Sequence, residues 1–304
     1  MANRTFDFVQ LDVFTREPLK GNPLAVFHDG RGLTDSEMQS LAREMNLSET
    51  TFILPRDPAI EAKDGKQVRI FTVEEELPFA GHPTLGTALY LHSLAGESDE
   101  IVLDLKVGKI PVRMTREANG AASDRIDGRV FGEMRQRDPE FGAVLSREEV
   151  ARVIEVGIDD IPADYPAQVV SAGLPFAVVP IRDAETLANL KNRSIEAADF
   201  LERHGGRFFY FLCRDAQPDA LEARARMFFY GGEDPATGSA AGCAASWMAR
   251  YGWAKSDEQV LIRQGVEAGR PSELFVRANY DGERVTNVRV GGYAVEILRG
   301  RLTL

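Results

Sequence analysis

The chain has 304 residues, beyond the size at which one hydrophobic core keeps growing, so length favours two domains of roughly 150 residues each. Hydrophobic residues make up 44% and charged residues 27%, a globular balance that excludes general disorder and a fibrous architecture. Lys and Arg number 36 against 47 Asp and Glu, a formal charge of −11 with no Lys/Arg-rich run, which argues against nucleic acid and anionic lipid as partners.

Residues Met1 to Asp7 lack the apolar run of a signal peptide, and no stretch approaches the roughly 18 uninterrupted apolar residues of a membrane span, so a cytoplasmic protein is expected. Stretches rich in β-branched and aromatic residues predict strands at Phe6 to Phe14, Leu24 to Phe27, Thr51 to Leu54, Val68 to Val73, Ile101 to Leu105 and Ile110 to Met114. Between them, Thr34 and Glu37 form a capping box, and Met38, Leu41, Ala42 and Met45 recur on one face of the helix that follows, with Leu33 placed to staple onto Met38. A second helix follows Gly81-His82-Pro83 and runs through Leu91. In the second half, strands are predicted at Ala167 to Val170, Ala177 to Ile181, Phe208 to Leu212, Ala223 to Phe229, Gln259 to Arg263, Ser272 to Ala278, Val285 to Val290 and Tyr293 to Leu298. A helix starts after Gly238-Ser239 and stops near Tyr251 and Gly252. The class is α+β.

The chain also resembles itself. Arg69 to Ala88 lies without a gap on Arg226 to Ala245 at a constant offset of 157, with identities at Arg69/Arg226, Phe71/Phe228, Glu76/Glu233, Pro78/Pro235, Gly81/Gly238 and Ala88/Ala245. Gly21 to Val26 matches Gly173 to Val178 at an offset of 152, sharing Gly, Pro, Ala and Val. Two ordered matches imply two similar domains: residues 1–120, with 290–304 as a candidate strand completing its sheet, and residues 121–304. The polar stretch Arg116 to Arg125 is the expected junction. The apolar run Val288 to Leu298 either returns to the first domain's sheet or packs against a second copy.

Candidate chemistry gathers at the two strand-loop-helix units. A glycine ahead of each helix leaves backbone N–H groups free to bind a carboxylate or phosphate, which suits a small anionic ligand. If a pseudo-twofold relates the domains, both helix starts face one cleft. Glu49, flanked by Leu47, Phe52 and Ile53, reads either as a surface carboxylate at a strand start or as a desolvated acid/base. His82 reads as structural or as a proton carrier, and Asp234 before Pro235 as a capping or a turn residue. Cys213 and Cys243 form no CxxC pair, and His28, His82, His92 and His204 are scattered, so neither a disulfide framework nor a metal site is expected.

Gly21 to Phe27, Ala42 to Phe52, Glu76 to Gly86 and Glu233 to Gly242 together resemble the PhzF family of phenazine-biosynthesis isomerases, four ordered motifs spanning residues 21 to 242. The resemblance implies a diaminopimelate-epimerase-like fold, two similar domains each with a curved sheet around a central helix, related by a pseudo-twofold with the active site between them. It implies cofactor-free isomerisation, with Glu49 as acid/base and His82 and Asp234 as its polar partners. Ser48, Gly81, Gly238 and Ser239 match the substrate-contact segments, and a homodimer is implied. The loop Phe229 to Gly232 is shorter than the family's usual connection, which leaves the substrate open. Two other readings stand beside this one: an epimerase or racemase using paired cysteines, which neither Cys213 nor Cys243 matches, and a non-catalytic dimeric binding protein.

Overall fold

The computed structural model describes residues 4–95, 98–116, 126–215, 221–229 and 231–304. The chain divides into two units, Met1–Arg135 with Gly291–Leu304, and Gln136–Val290. Most of the junction expected at 116–125 lies outside the described residues. The strand after it, Val130–Arg135, pairs with Gly108–Arg116 and so stays with the first unit.

The first unit comprises strands Thr5–Val13 (β1), Asn22–Phe27 (β2), Glu49–Ile53 (β3), Lys66–Phe71 (β4), Glu76–Leu77 (β5), Glu100–Leu105 (β6), Gly108–Arg116 (β7) and Val130–Arg135 (β8), with helices Asp35–Met45 (α1), Pro58–Asp64 (α2) and Gly81–Ala95 (α3). β1–β2, β3–β4, β6–β7 and β7–β8 are antiparallel, whereas β2–β3 and β4–β6 are parallel. The last strand of the chain, Ala294–Thr303, runs antiparallel to β1 with Thr5 opposite Thr303, so the C-terminal run covers that edge from within the chain.

Helix α3 is apolar all round and buried from Gly81 to His92, because it touches β1, β2, β3, β6, β7 and β8 and the sheet curves about it. Small residues permit the approach. A Cβ on Gly86 would meet Leu24 at 2.6 Å and Val13 at 2.7 Å, and one on Gly132 of β8 would meet Leu85 at 2.6 Å. The other face of the sheet carries a second core in which Phe27 stacks on Phe52 at 4.8 Å beneath Leu33, Met38 and Leu41 of the α1 region. The expected capping box is present: Glu37 N–H donates to Thr34 Oγ1 at 3.3 Å, and Thr34 N–H to Glu37 Oε2 at 2.8 Å.

The second unit repeats the scheme with Glu140–Val144 (β9), Arg147–Ile154 (α4), Gln168–Ser171 (β10), Pro175–Pro180 (β11), Ala184–Asn189 (α5), Ala198–Arg203 (α6), Phe208–Arg214 (β12), Glu222–Phe229 (β13), Gly232–Glu233 (β14), Gly238–Arg250 (α7), Val260–Gln264 (β15), Ser272–Tyr280 (β16) and Val285–Gly292 (β17). From β10 through β16 the pairing alternates antiparallel and parallel in the same order as from β1 through β7. The registers coincide as well. Thr51 faces Ile70 where Tyr210 faces Met227, and Leu24 faces Glu49 where Phe176 faces Phe208, which reproduces both sequence offsets. No helix among the described residues is long and apolar enough to cross a membrane.

The identities in the repeat have a physical basis. Arg69 Nε and NH2 donate to Glu76 at 2.8 and 2.7 Å, and Arg226 Nε and NH2 donate to Glu233 at 2.9 and 2.7 Å. Each guanidinium lies over the phenylalanine two residues on, 5.1 Å from the Phe71 ring centre and 4.6 Å from that of Phe228. Glu76 keeps a second cation, Lys106 at 2.6 Å, and its carboxyl is held below the ordinary carboxylate range chiefly by the Arg69 hydrogen bond, against the desolvation of burial. Arg226 is the more enclosed, its side chain 8% exposed against 19% for Arg69. Arg226→Ala should therefore destabilise the protein by about 3–5 kcal/mol, the cost of stranding one member of a buried pair, and Arg69→Ala by less. Urea denaturation of both variants against the parent tests the order.

Candidate active site

Three elements of the first unit converge on Glu49. It opens β3 with its side chain 16% exposed, beside Leu24 of β2, and His82 at the start of α3 places Nε2 3.4 Å from Glu49 Oε2. The His82 side chain is 4% exposed. Its ring is fixed from behind by a hydrogen bond to the backbone of Pro23, which has only a carbonyl to offer. The nitrogen on Pro23 therefore carries the hydrogen, and Nε2, which has no hydrogen-bond partner, presents its lone pair towards the carboxyl group. Burial pushes the imidazole down to about 3, with the Pro23 contact opposing the shift weakly, so the ring is neutral and the contact with Glu49 is not an ion pair. A carboxyl oxygen facing this lone pair can, when protonated, donate a hydrogen bond to it. Ser48 is exposed beside Glu49, and Gly81 is buried at the helix start.

Asp234, Gly238 and Ser239 gather at the start of α7 in the second unit. Thr237 Oγ1 donates to Asp234 Oδ2 at 2.6 Å, and Asp234 N–H donates to the Met227 carbonyl at 3.0 Å. Gly238 is buried and its carbonyl accepts from Gln136 Nε2 at 2.9 Å, while Ser239 is half-buried. Phe229 pairs with Gly232 to close the short loop, and Asn192 Nδ2 braces it through the carbonyls of both, at 2.9 and 3.2 Å; Tyr230 lies outside the described residues. Pro23, Thr237 and Gln136 were not singled out from sequence. Pro23 and Thr237 fall inside motifs that were, but the roles of a backbone carbonyl and of a distant glutamine leave no local signal. A cavity of about 450 Å³ in the second unit, bordered by Glu155, Asp160, Arg182 and Lys191, contains none of the expected site residues.

The phenazine biosynthesis-like protein model, PhzC-PhzF, matches residues 11–300. The chain belongs to the PhzC-PhzF family. It is 36% identical over 301 residues to the trans-2,3-dihydro-3-hydroxyanthranilate isomerase of Pseudomonas aeruginosa, covering 98% of this chain and 99% of that one. A solved Pseudomonas aeruginosa structure named as a predicted epimerase is 36% identical with a TM-score of 0.81, over 98% and 99% of the two chains. The epimerase-like fold extends to a hydroxyproline epimerase of Agrobacterium vitis, at 13% identity and a TM-score of 0.64 over 99% and 93% of the two chains. The protein is an isomerase.

Within this PhzC-PhzF chain the two thiols are poor candidates for acid and base. Cys213 on β12 and Cys243 in α7 are buried, and burial pushes each up to about 12, which keeps them protonated and unreactive at neutral pH. Among the described residues no group of three or more His, Cys, Asp or Glu side chains is placed to hold a metal ion.

The neutrality of His82 carries a stability consequence. In the unfolded chain the ring takes up a proton as pH falls through 6.5, whereas in the folded protein it does so only near 3. The stability it supports is present above pH 6.5 and is lost as pH falls towards 3, by about 2 kcal/mol between about pH 7 and about pH 5. Urea denaturation at the two pH values should show that loss, and His82→Gln should shrink it; an unchanged slope in the variant rejects the buried neutral ring.

Proposed function

We propose that this isomerase moves a proton between two carbons of a small cyclic carboxylated substrate, with Glu49 as the acid/base and His82 as its partner. The observation that carries the reading is an internal comparison. By strand register the second unit has Phe208 in the place of Glu49, and by the sequence offset it has Ser239 in the place of His82. The same fold is built without the carboxylate and the imidazole, so packing does not require them.

The step balances without a cofactor. Glu49 takes the proton from one ring carbon, the electron pair left behind delocalises over the conjugated ring, and the proton is returned at a second carbon. The partly enclosed carboxylate meets the carbon acid beside the neutral His82, whose lone pair accepts a hydrogen bond from the protonated carboxyl. Asp234 supplies a further polar contact in the reaction. The family resemblance supports Ser48, Gly81, Gly238 and Ser239 as substrate-binding residues, and the N–H groups of a helix start give a chain of charge −11 a local means of attracting an anion. The substrate class is taken from the Pseudomonas aeruginosa relative, whose name describes a ring carrying hydroxyl, amino and carboxyl groups. Two free cysteines suit a cytoplasmic setting.

Incubating trans-2,3-dihydro-3-hydroxyanthranilate and other cyclic acids with the protein in heavy water tests the reading. Deuterium at a second ring carbon marks isomerisation, whereas deuterium only at the carbon that lost its proton marks epimerisation. Glu49→Gln should lower incorporation by about 10²–10⁴-fold. Undiminished incorporation overturns the role of Glu49.

The protein is further proposed to act as a homodimer, which the family resemblance supports. Light scattering at micromolar concentration should return twice the chain mass of 33.6 kDa, and a single-chain mass that does not rise with concentration rejects it.

A further inference from the structure

The second unit contains a buried polar chain that the first lacks. Gln264, at the end of β15, is fully buried with all four amide hydrogen-bonding positions used. Its Oε1 accepts from Tyr210 OH at 3.0 Å and from Thr237 N–H at 3.2 Å, and its Nε2 donates to the Asp234 carbonyl at 2.8 Å and to Thr237 Oγ1 at 2.9 Å. The amide cannot be flipped. Thr237 N–H is only a donor and the Asp234 carbonyl only an acceptor, so reversal would set donor against donor and acceptor against acceptor.

That fixed direction propagates. Thr237 Oγ1 already accepts from Gln264, so its single hydrogen is available to Asp234 Oδ2, 2.6 Å away. Thr237 stands immediately before α7, where a threonine hydroxyl ordinarily accepts from the helix's first N–H groups, yet it makes no such bond. Its hydroxyl is diverted from capping to the carboxylate.

The duplicated fold shows that packing does not demand this arrangement. Carrying the β4–β6 and β13–β15 registers forward places Leu105 where Gln264 stands, and Thr51 takes the place of Tyr210. At the offset of 157, Ala80 and Leu77 take the places of Thr237 and Asp234. In the first unit Leu105, Ala80 and Leu77 offer no side-chain donor or acceptor, and the Thr51 hydroxyl pairs instead with Thr87 of the central helix at 2.9 Å.

We propose that Tyr210, Gln264 and Thr237 form a one-directional hydrogen-bond relay that holds the Asp234 carboxylate in one orientation as an acceptor, making Gln264 and Thr237 positioning residues of the isomerase. The functional half of this inference rests on the reading of Asp234 as part of the proton-transfer machinery; the structural half stands apart from it. The carboxyl ¹³C resonance of Asp234, identified by its loss in Asp234→Asn, reports the relay directly. In Thr237→Ala its titration midpoint should rise by about one pH unit, a tenfold change in proton affinity for one charge-assisted hydrogen bond removed. Thr237→Ser, which keeps the hydroxyl, should restore the parent midpoint. Gln264→Leu, carrying the residue the first unit uses, should raise it by less. A midpoint unmoved in both Thr237→Ala and Gln264→Leu overturns the relay, as does a shift in Thr237→Ala that serine does not reverse. Deuterium incorporation into trans-2,3-dihydro-3-hydroxyanthranilate, followed with Asp234→Asn, is a separate arm. A moving midpoint with undiminished incorporation in Asp234→Asn leaves the relay standing and removes Asp234 from the machinery.

Discussion

A guanidinium clamped on a carboxylate decides where each central helix begins. Phe71 pairs with Glu76 and Phe228 with Glu233, so the chain reverses within a few residues of the strand that carries the arginine, and the helix starts five residues after the glutamate. A reversal this short has little hydrophobic area to hold it. The bidentate fork supplies the direction that hydrophobic contact lacks, since two parallel hydrogen bonds fix both the position and the plane of the carboxylate. Arg226 extends the same constraint by donating NH1 to the carbonyls of Leu187, Ala188 and Leu190, which ties the C-terminal end of α5 to the hairpin. His82 and Ser239 stand in the first turns of the two helices, so displacing either fork would displace the helix start that presents them.

Duplication separates what the fold needs from what the chemistry needs. Both units keep the arginine, the aromatic ring beneath it, the glutamate and the glycine that opens the helix, and all serve the hairpin-to-helix corner. They differ at Glu49 and Phe208, at His82 and Ser239, and at Leu77 and Asp234. A polar group in one copy opposite an apolar one in the other costs desolvation with no folding return, because the apolar copy packs as well. Glu49 and Asp234, each opposite an apolar residue, therefore need a reason outside stability, and the proposed proton transfer supplies one for Glu49.

The strands flanking the helices were legible because alternation and β-branched composition act locally, and the capping box at Thr34 is a local signal too. Four helices passed unread. α2, α4 and α5 carry proper caps at Asp57, Ser146 and Asp183, but with six to eight residues each they have too few turns for a periodic face to emerge. β8 was hidden by Gly132, which breaks the alternation because Leu85 of the central helix occupies the space a side chain would take. In the site, Glu49, His82 and Asp234 stood out through motifs. Gln264 did not, because its role comes from strand register, which joins β15 to β13 across the length of α7 and which no local pattern reveals.

Burial of His82 works in two opposing ways. Removing the ring from water takes away its charge, which an ion-pair role beside a carboxylate would need, and that loss is large enough to keep it neutral across the whole physiological range. The same enclosure leaves it a neutral, accepting lone pair in a fixed direction, because the carbonyl of Pro23 commits the other nitrogen to donating. A charged imidazolium would hold Glu49 as a tight ion pair and weaken it as a base. In the proposed reaction a neutral ring forms no ion pair with the carboxylate before proton abstraction and gains a hydrogen bond once the carboxyl is protonated. The favourable contact thus forms as the proton arrives, the condition under which an interaction speeds a reaction instead of only tightening the resting state.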